Sequence, residues 1–395
     1  MQTAHRLEGI GEYYFSQKLR EIEQMNQSGD PVISLGIGSP DLPPHPEVIR
    51  VLQEESARSN VHGYQSYKGI PVLRQAMADW YQHWYQVLLN PDTEILPLIG
   101  SKEGILHICM TYLNNGDQAL IPDPGYPTYS SAVRLAGGIP VTYALKEENN
   151  WKPDWKEIEK QDLRKVKLFF VNYPHMPTGQ LPDHKLFEEI VAFAKKHALL
   201  IIHDNPYSFI LNDHPASILS IPDAKSCTLE LNSLSKSQNM AGWRVGMLCG
   251  AASCIQDVLR FKSNMDSGMF LPVQLAAAKA LSLGKEWYDS VNEIYRQRRI
   301  LVYELLNKLK LGYSLSQGGL FVWARVPGNE SLVGDDKAPY GAGGLLSDRI
   351  LKDARVFITP GGIFGAQGND YIRISLCAPE EKIKQCIQRI HSLFC

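Results

Sequence analysis

Short apolar runs alternate with amphipathic stretches through the middle of the chain. The run V-K-L-F-F-V at residues 166–171 predicts a buried strand, and residues 183–197 carry apolar side chains at helical spacing and predict a helix. Further short apolar runs predict strands at 119–121, 199–202, 228–231 and 245–248. Strand–helix–strand alternation predicts an α/β fold with a mainly parallel sheet and helices on both faces.

The pattern changes near residue 280. A long charged amphipathic stretch at 286–310 predicts a helix that links two bodies. Beyond it we expect strands at 320–324, 356–359 and 371–375, and helices at 344–354 and 379–393. The first forty or so residues contain the helical E-Y-Y-F-S-Q-K-L-R-E-I-E-Q-M and are expected to pack with this second body. We therefore expect a large domain at 41–283 and a smaller α+β domain at 1–40 with 284–395.

Charge and composition narrow the function classes. The 395 residues include 40 basic and 42 acidic side chains, a net charge of −2, so nothing favours binding to nucleic acid or to a membrane surface. No apolar run approaches the roughly 18 residues of a membrane helix, and the N-terminus lacks an apolar signal segment. The seven cysteines are scattered and lack zinc spacing, so we expect reduced thiols. Together these features predict a soluble cytoplasmic protein.

The stretch S-L-S-K-S-Q-N-M-A-G-W-R-V-G at 233–246 carries the clearest chemistry. Lys236 offers an amine, Ser233 and Ser235 offer hydroxyls, and Arg244 offers a fixed cation. These groups suit an aldehyde cofactor with a phosphate tail, because the lysine can form an imine while the hydroxyls and the arginine hold the phosphate. The alternative is a polar surface loop.

A second motif, D-N-P-Y, follows the predicted strand L-I-I-H. The carboxylate of Asp204 could pair with a pyridinium nitrogen and keep it protonated, and the phenol of Tyr207 could hydrogen-bond the 3′-oxygen of the same ring. Taken alone, the motif is more typical of a turn in which the aspartate caps a helix.

Two further motifs are N-Y-P-H-M-P-T-G at 172–179 and Y-I-R-I-S at 371–375. With all four motifs, the chain resembles the class I/II aminotransferases over essentially its whole length. The resemblance implies fold type I, with a mainly parallel seven-stranded sheet between helices and a smaller α+β domain. It implies pyridoxal 5′-phosphate (PLP) as cofactor and a homodimer with sites at the subunit interface. It also implies ping-pong transfer of an amino group from an L-amino acid to a 2-oxo acid, with 2-oxoglutarate the expected acceptor.

The resemblance assigns roles residue by residue. It gives catalytic roles to Lys236 as the proton carrier, to Asp204 and to Tyr207. The same three residues are also expected to bind the cofactor. The other expected cofactor-binding residues are Ser101, Lys102 and Glu103 at a helix start (I-G-S-K-E-G-I), Asn172, Ser233, Ser235 and Arg244. Tyr126 is expected to stack on the cofactor ring, and Tyr64 to reach the cofactor of the neighbouring subunit. Gly38 and Arg373 are expected to bind substrate, Arg373 through the α-carboxylate, and segment 262–270 is expected to enter the partner's site.

The chain departs from the family pattern at Met176. The family commonly has asparagine directly before P-T-G, where its amide donates to the 3′-oxygen of the cofactor, and methionine cannot donate. Tyr207 would then be the only donor to that oxygen, unless His175, Asn172 or a water replaces the amide. A packing substitution without chemical effect is the alternative.

Two alternatives to the aminotransferase remain open from the sequence. A C–S β-lyase of the same fold shares most of these residues, and a non-catalytic PLP-binding regulatory module would share the cofactor site. The I-G-S-K-E-G-I loop is similar to that of the LL-diaminopimelate aminotransferase group, although a broad aromatic or aliphatic specificity fits as well.

Overall fold

Strands and helices alternate along the chain in a computed structural model that describes residues 2–27, 29–327 and 339–394. The strands are β1 Ile33–Ser34, β2 Ile95–Leu98, β3 Gln118–Asp123, β4 Ile139–Ala144, β5 Val166–Val171, β6 Leu200–Asp204, β7 Thr228–Ser233, β8 Gly246–Gly250, β9 Gly312–Tyr313, β10 Phe321–Arg325, β11 Val356–Phe357, β12 Thr359–Pro360 and β13 Tyr371–Ser375. The helices are α1 Tyr14–Asn26, α2 Pro46–Ser56, α3 Pro71–Tyr85, α4 Ser101–Tyr112, α5 Pro127–Leu135, α6 Trp155–Ile158, α7 His184–His197, α8 Leu234–Ser237, α9 Ala252–Lys262, α10 Leu271–Leu281, α11 Lys285–Lys308, α12 Gly341–Ala354 and α13 Glu380–Phe394.

The large sheet has seven strands in the order β2-β8-β7-β6-β5-β3-β4. The pairs from β7 through β6, β5 and β3 to β4 are parallel, and β8 runs antiparallel to both of its neighbours. The predicted α/β class with a mainly parallel seven-stranded sheet is confirmed. Because β5, β6 and β7 are parallel neighbours, the residues at their carboxyl ends meet at one edge of the sheet.

The central strands form at apolar runs of the sequence, because both faces of these strands are buried. Five of the six residues of β5 are buried, as expected for a strand covered by helices on both sides. Apolar residues of α7, such as Phe187 and Ile190, pack into the same core as Phe169 of β5. The predicted helix at 183–197 begins one residue later than expected, because Asp183 is its cap and accepts a hydrogen bond from the Leu186 N–H.

A second, four-stranded antiparallel sheet has the order β12-β13-β10-β9. It places Arg373 of β13 opposite Trp323 of β10 and Thr359 of β12. Strand β1 pairs in parallel with β11, so the N-terminal region joins this part of the molecule. Helix α1 packs there too, with Ile22 buried beside Phe357.

The strand predicted at 356–359 is wrong in one respect, because the structure divides it. Residues 356–357 form β11 beside β1, and residues 359–360 form β12 beside β13. Between them the carbonyl of Ile358 accepts a hydrogen bond from the Ser347 hydroxyl instead of a strand neighbour. Pro360 has no N–H, which ends the ladder at that residue.

Among the described residues, no helix combines the length and apolar character needed to cross a membrane. The cysteines in this part of the chain are free thiols, and Cys395 lies outside it.

Candidate active site

A cavity of about 360 Å³ lies at the carboxyl ends of the central strands and extends to β10 and β13. All but two of the predicted site residues line it: Gly38, Ser101, Lys102, Tyr126, Asn172, Asp204, Tyr207, Ser233, Ser235, Lys236, Arg244 and Arg373. The two that do not are Glu103 and Tyr64. Residues separated by more than 300 positions along the chain thus meet in one cavity.

Lys236 is carried by the short helix α8, directly after β7. The Ser233 hydroxyl caps this helix by accepting from the Ser235 N–H at 3.1 Å. The Lys236 Nζ donates to the carbonyl of Gly38 at 2.8 Å. Burial lowers the pKa of Lys236, so a larger fraction of the amine is uncharged near neutral pH than in water.

Asp204 ends β6 and is buried. Its Oδ2 accepts from the Tyr129 hydroxyl at 2.8 Å, whereas its Oδ1 has no partner among the described residues. Burial raises the pKa of Asp204 to about 6. A buried carboxylate oxygen without a donor is costly, so it favours a ligand that brings a donor or a positive charge.

Asn172, after β5, is held by its own hydrogen bonds. Its Nδ2 donates to the carbonyl of Asp204 at 2.5 Å and its Oδ1 accepts from the Met176 N–H at 2.7 Å. Asn172 therefore fixes two neighbouring segments of backbone, and one of the two N–H groups of its amide is already used.

Helix α4 begins at the cavity wall with Ser101. Its first N–H groups have no partner within the helix, and the positive end of the helix dipole points with them. Gly100 precedes the helix at φ +83°, and a Cβ there would lie 2.2 Å from the Arg244 Nη2, so glycine is required for the close approach of the guanidinium. Arg244 Nη1 donates to the Ala241 carbonyl at 3.0 Å. These groups form an anion-binding corner.

The side chain of Glu103 is directed away from the cavity. Its Oε2 accepts from the Ile99 N–H at 2.5 Å and its Oε1 lies 2.7 Å from Nε2 of His107. Only its backbone, in the first turn of α4, remains a candidate for the predicted role.

Arg373 is a buried cation without a carboxylate partner among the described residues. Its Nη2 donates to the Gly36 carbonyl at 2.9 Å, and its Nη1 lies 3.4 Å from the Met176 Sδ. The guanidinium carbon is 3.8 Å from the centre of the Phe321 ring and 4.6 Å from that of Phe364. Burial lowers the pKa of Arg373 to about 10, which still leaves it charged at neutral pH. An anionic ligand would compensate this charge.

Of the two residues weighed as substitutes at the Met176 position, His175 is not available. It does not line the cavity; its Nδ1 lies 2.8 Å from the Thr178 hydroxyl, and burial lowers its pKa to about 3. Asn172 lines the cavity and retains the second N–H of its amide. Tyr207 lines the cavity with its ring edge-on to Phe321, and burial raises the pKa of its phenol, which keeps the donor proton in place.

Tyr64 is 94% exposed and lies outside the cavity. Segments 62–70 and 262–270 pack together here: the rings of His62 and Phe270 stack at 5.7 Å, and Gly268 at φ +83° approaches the Ser66 carbonyl. The exposed large side chains of these two segments are Tyr64, Tyr67, Met265 and Phe270. We call this set the aromatic patch.

Two groups of lining residues escaped the sequence analysis. Tyr129 donates to Asp204 and ends the motif P-D-P-G-Y-P-T-Y, in which only Tyr126 was assigned a role. Tyr13, Phe15 and Leu19, at the start of α1, also line the cavity. The N-terminal helix was expected, but no motif connected it to the site.

The comparisons with known proteins agree with this geometry. The family described as aminotransferase class I and II matches residues 30–390. The LL-diaminopimelate aminotransferase of Halothermothrix orenii is 39% identical over 99% of this chain and 98% of its own length. Apo-BacF from Bacillus subtilis superposes with a TM-score of 0.93 at 35% identity, covering 100% of this chain and 99% of that one. An aminotransferase from Staphylococcus aureus gives 0.88 at 29% identity, covering 99% of each chain. The chain therefore belongs to the class I and II aminotransferase family, as the sequence resemblance predicts, and it is an enzyme that transfers amino groups.

Proposed function

We propose that the protein binds PLP in this cavity and moves the amino group of an L-amino acid to a 2-oxo acid, with 2-oxoglutarate the expected acceptor. The observation that carries the proposal is the combination of a buried amine, Lys236, with a buried carboxylate oxygen that lacks a donor, Asp204 Oδ1, in one cavity. The anion-binding corner at α4 and the unpaired Arg373 supply the two further contacts that the reaction needs.

The residues present fit the cofactor. A protonated ring nitrogen would give Asp204 Oδ1 the donor it lacks, and the Tyr129 hydroxyl would hold the other oxygen. The phosphate would lie against the N–H groups at the start of α4, the hydroxyls of Ser101, Ser233 and Ser235, and the guanidinium of Arg244. When bound, PLP supplies an aldehyde that condenses with amines and a ring that withdraws electrons from the reacting carbon.

The side chains of this protein then position and move the proton. The Nζ of Lys236 would take the proton from the Cα of the substrate and later return it, acting as base and then as acid. Its lowered pKa favours the uncharged amine that the first step requires. Arg373 would hold the α-carboxylate through a bidentate fork, which fixes the orientation of the Cα–H bond. Tyr126 and Tyr207 line the cavity and would help to exclude water from the reacting atoms.

A spectroscopic experiment tests the function. Without an acceptor, the PLP-loaded protein should convert once per site to the amine form of the cofactor on addition of an amino donor and release one equivalent of 2-oxo acid. Adding 2-oxoglutarate should restore the aldehyde spectrum. Continuous release of ammonia and pyruvate without an acceptor would identify the β-lyase instead. The absence of any spectral change with all donors would identify a cofactor-binding module without activity.

We also propose a homodimer with shared sites, in which Tyr64 contacts the cofactor phosphate of the partner. The support is the aromatic patch, since large apolar side chains grouped at a surface favour burial against another protein. The proposed domains are 41–283, which carries Lys236 and Asp204, and 1–40 with 284–395, which carries Gly38 and Arg373. Location in the cytoplasm remains part of the proposal.

Met176→Asn should change the titration of the loaded protein. In the wild type, Met176 offers the 3′-oxygen no hydrogen-bond donor, so the phenolate form of the cofactor would be stabilised less than with an added amide, and the nitrogen that joins Lys236 to the cofactor should lose its proton at a higher pH. The variant should lower this titration midpoint by about one pH unit, as expected for one added hydrogen bond to a charged group. Absorbance against pH measures it, and an unchanged midpoint would mean that Met176 is a packing substitution.

A further inference from the structure

The substrate end of the cavity has an apolar wall that the N-terminal segment builds. Tyr13, Phe15 and Leu19 line the cavity together, and Phe15 and Leu19 lie on one face of α1 because they are four residues apart. Tyr13 is 38% exposed and Leu19 is 47% exposed, so a ligand in the cavity would cover apolar surface that is now in contact with water.

This wall adjoins the residue proposed to hold the α-carboxylate. The ring centre of Phe15 is 5.6 Å from the guanidinium carbon of Arg373, whose other neighbours are the rings of Phe321 and Phe364. A substrate anchored by its α-carboxylate at Arg373 therefore extends its side chain past aromatic rings. We propose, on the basis of the function proposed above, that the amino donor carries an apolar side chain of aromatic size and no second ammonium group.

The charged groups of the lining support this donor class. Asp204 is the only acidic residue among the described residues that line the cavity, and it is assigned to the cofactor. A second ammonium group on the substrate would therefore find no carboxylate in this subunit. Burying an ammonium group without a partner is strongly unfavourable.

A second carboxylate must be accepted, because 2-oxoglutarate, the expected acceptor, binds at the same site. Lys236, Arg244 and Arg373 already have roles, which leaves Lys102 among the lining cations. Its ammonium lies 4.9 Å from the centre of the Tyr13 ring, at the edge of the wall. Lys102 is therefore the lining cation available to the distal carboxylate of the acceptor.

The partner subunit of the proposed dimer would add no free carboxylate to the site. Segment 62–70 contains no acidic residue, and segment 262–270 contains only Asp266. Asp266 is paired with the buried Lys262 and faces Glu103 in its own subunit. The two segments thus present the aromatic patch and no free carboxylate.

This donor class differs from the one in the names of the similar enzymes. Diaminopimelate carries a second amino group and a second carboxyl group, and both would have to be accommodated beside Tyr13, Phe15 and Leu19. A measured donor preference therefore separates the two possibilities without reference to the fold.

The first test is a donor panel on the PLP-loaded enzyme. The rate of conversion of the cofactor spectrum should give kcat/KM values for L-phenylalanine, L-tyrosine or L-leucine at least about tenfold above that for LL-diaminopimelate. A higher value for LL-diaminopimelate would overturn the donor class while leaving the aminotransferase function intact. Failure of every donor would instead remove the function on which the inference rests.

The second test measures binding alone and uses a matched pair of leucines. Leu19 lines the cavity and Leu7, which is 48% exposed, does not. In calorimetric titrations of the loaded enzyme, Leu19→Ala should weaken 3-phenylpropionate about tenfold, whereas its affinity for glutarate should change less than about twofold. Leu7→Ala should change neither. Equal effects of the two variants on 3-phenylpropionate, or equal losses for both ligands in Leu19→Ala, would contradict the proposed wall.

Discussion

Replacement of Lys236 by alanine is expected to lower kcat by about 10⁴-fold or more, which corresponds to about 5.5 kcal/mol of activation free energy. The variant loses the amine that lies against the Gly38 carbonyl in the cavity that holds Asp204. The group proposed to take the Cα proton is then absent. Single-turnover conversion of the bound cofactor by an amino donor measures this step directly, independently of acceptor and product release.

Added small amines provide the control for this result. The Lys236→Ala cavity should admit methylamine or ethylamine, and the rate should rise with amine concentration and with amine basicity if the missing function is that of a base. Lys236→Arg keeps the cation but not a free base, so it should stay inactive. A Lys236→Ala protein that transaminates at the wild-type rate without added amine would refute the proposed role.

The sequence was sufficient to predict a strand where the pattern of apolar residues is local. The apolar run at 166–171 is β5 with the predicted bounds, because a strand covered on both faces requires continuous apolar residues. Strands β2 and β4 were not predicted, and each contains a proline, Pro97 or Pro140, a residue that is uncommon inside strands. The structure places both at the edges of the sheet, where proline is tolerated.

Likewise, site residues within local motifs were predicted, whereas site residues from a distant segment were not. Motifs that follow strands located Asn172, Asp204 and Lys236, because the carboxyl ends of parallel strands must converge. Tyr13 and Phe15 were missed because their place in the site depends on how a distant segment packs, which no motif in the sequence specifies.

Arg373 shows what sequence reasoning omits even when it finds the residue. The sequence analysis assigned Arg373 to the α-carboxylate of the substrate, and the described residues around it supply the Gly36 carbonyl and aromatic faces. The fold thereby keeps the charge of Arg373 available to a ligand. This could be recognised only from the structure, which places Phe321 of β10 and Phe364, after β12, beside the guanidinium.

Asp204→Asn is expected to have two opposite effects, on activity and on stability. The activity should fall by about 10³-fold, because a neutral amide cannot hold a proton on the ring nitrogen and its electrostatic contribution to the transition state is lost. Asp123 offers a matched control, since it ends the nearby strand β3, burial also raises its pKa, and it does not line the cavity. Asp123→Asn should retain activity within severalfold.

The stability of the cofactor-free protein should change in the other direction. The pKa of Asp204 is raised to about 6 in the folded protein, against about 4 in an unfolded chain, so the folded state binds more protons between these values. Its stability therefore falls as the pH rises from about 4 to about 6 and then levels off, with a total loss of about 3 kcal/mol. The amide introduced by Asp204→Asn does not titrate, so the free energy of unfolding of this variant minus that of the wild type should increase by up to that amount over this range.

Denaturant unfolding of the cofactor-free proteins between pH 4.5 and 7.5 measures this difference. Binding of PLP should reduce it, since a protonated ring nitrogen compensates the charge that the folded protein otherwise buries at Asp204 Oδ1. A difference that is independent of pH, or unaffected by PLP, would mean that the carboxylate is already compensated by the protein. The expected result would instead show that the fold holds an uncompensated charge where the chemistry requires one, at a measurable cost in stability.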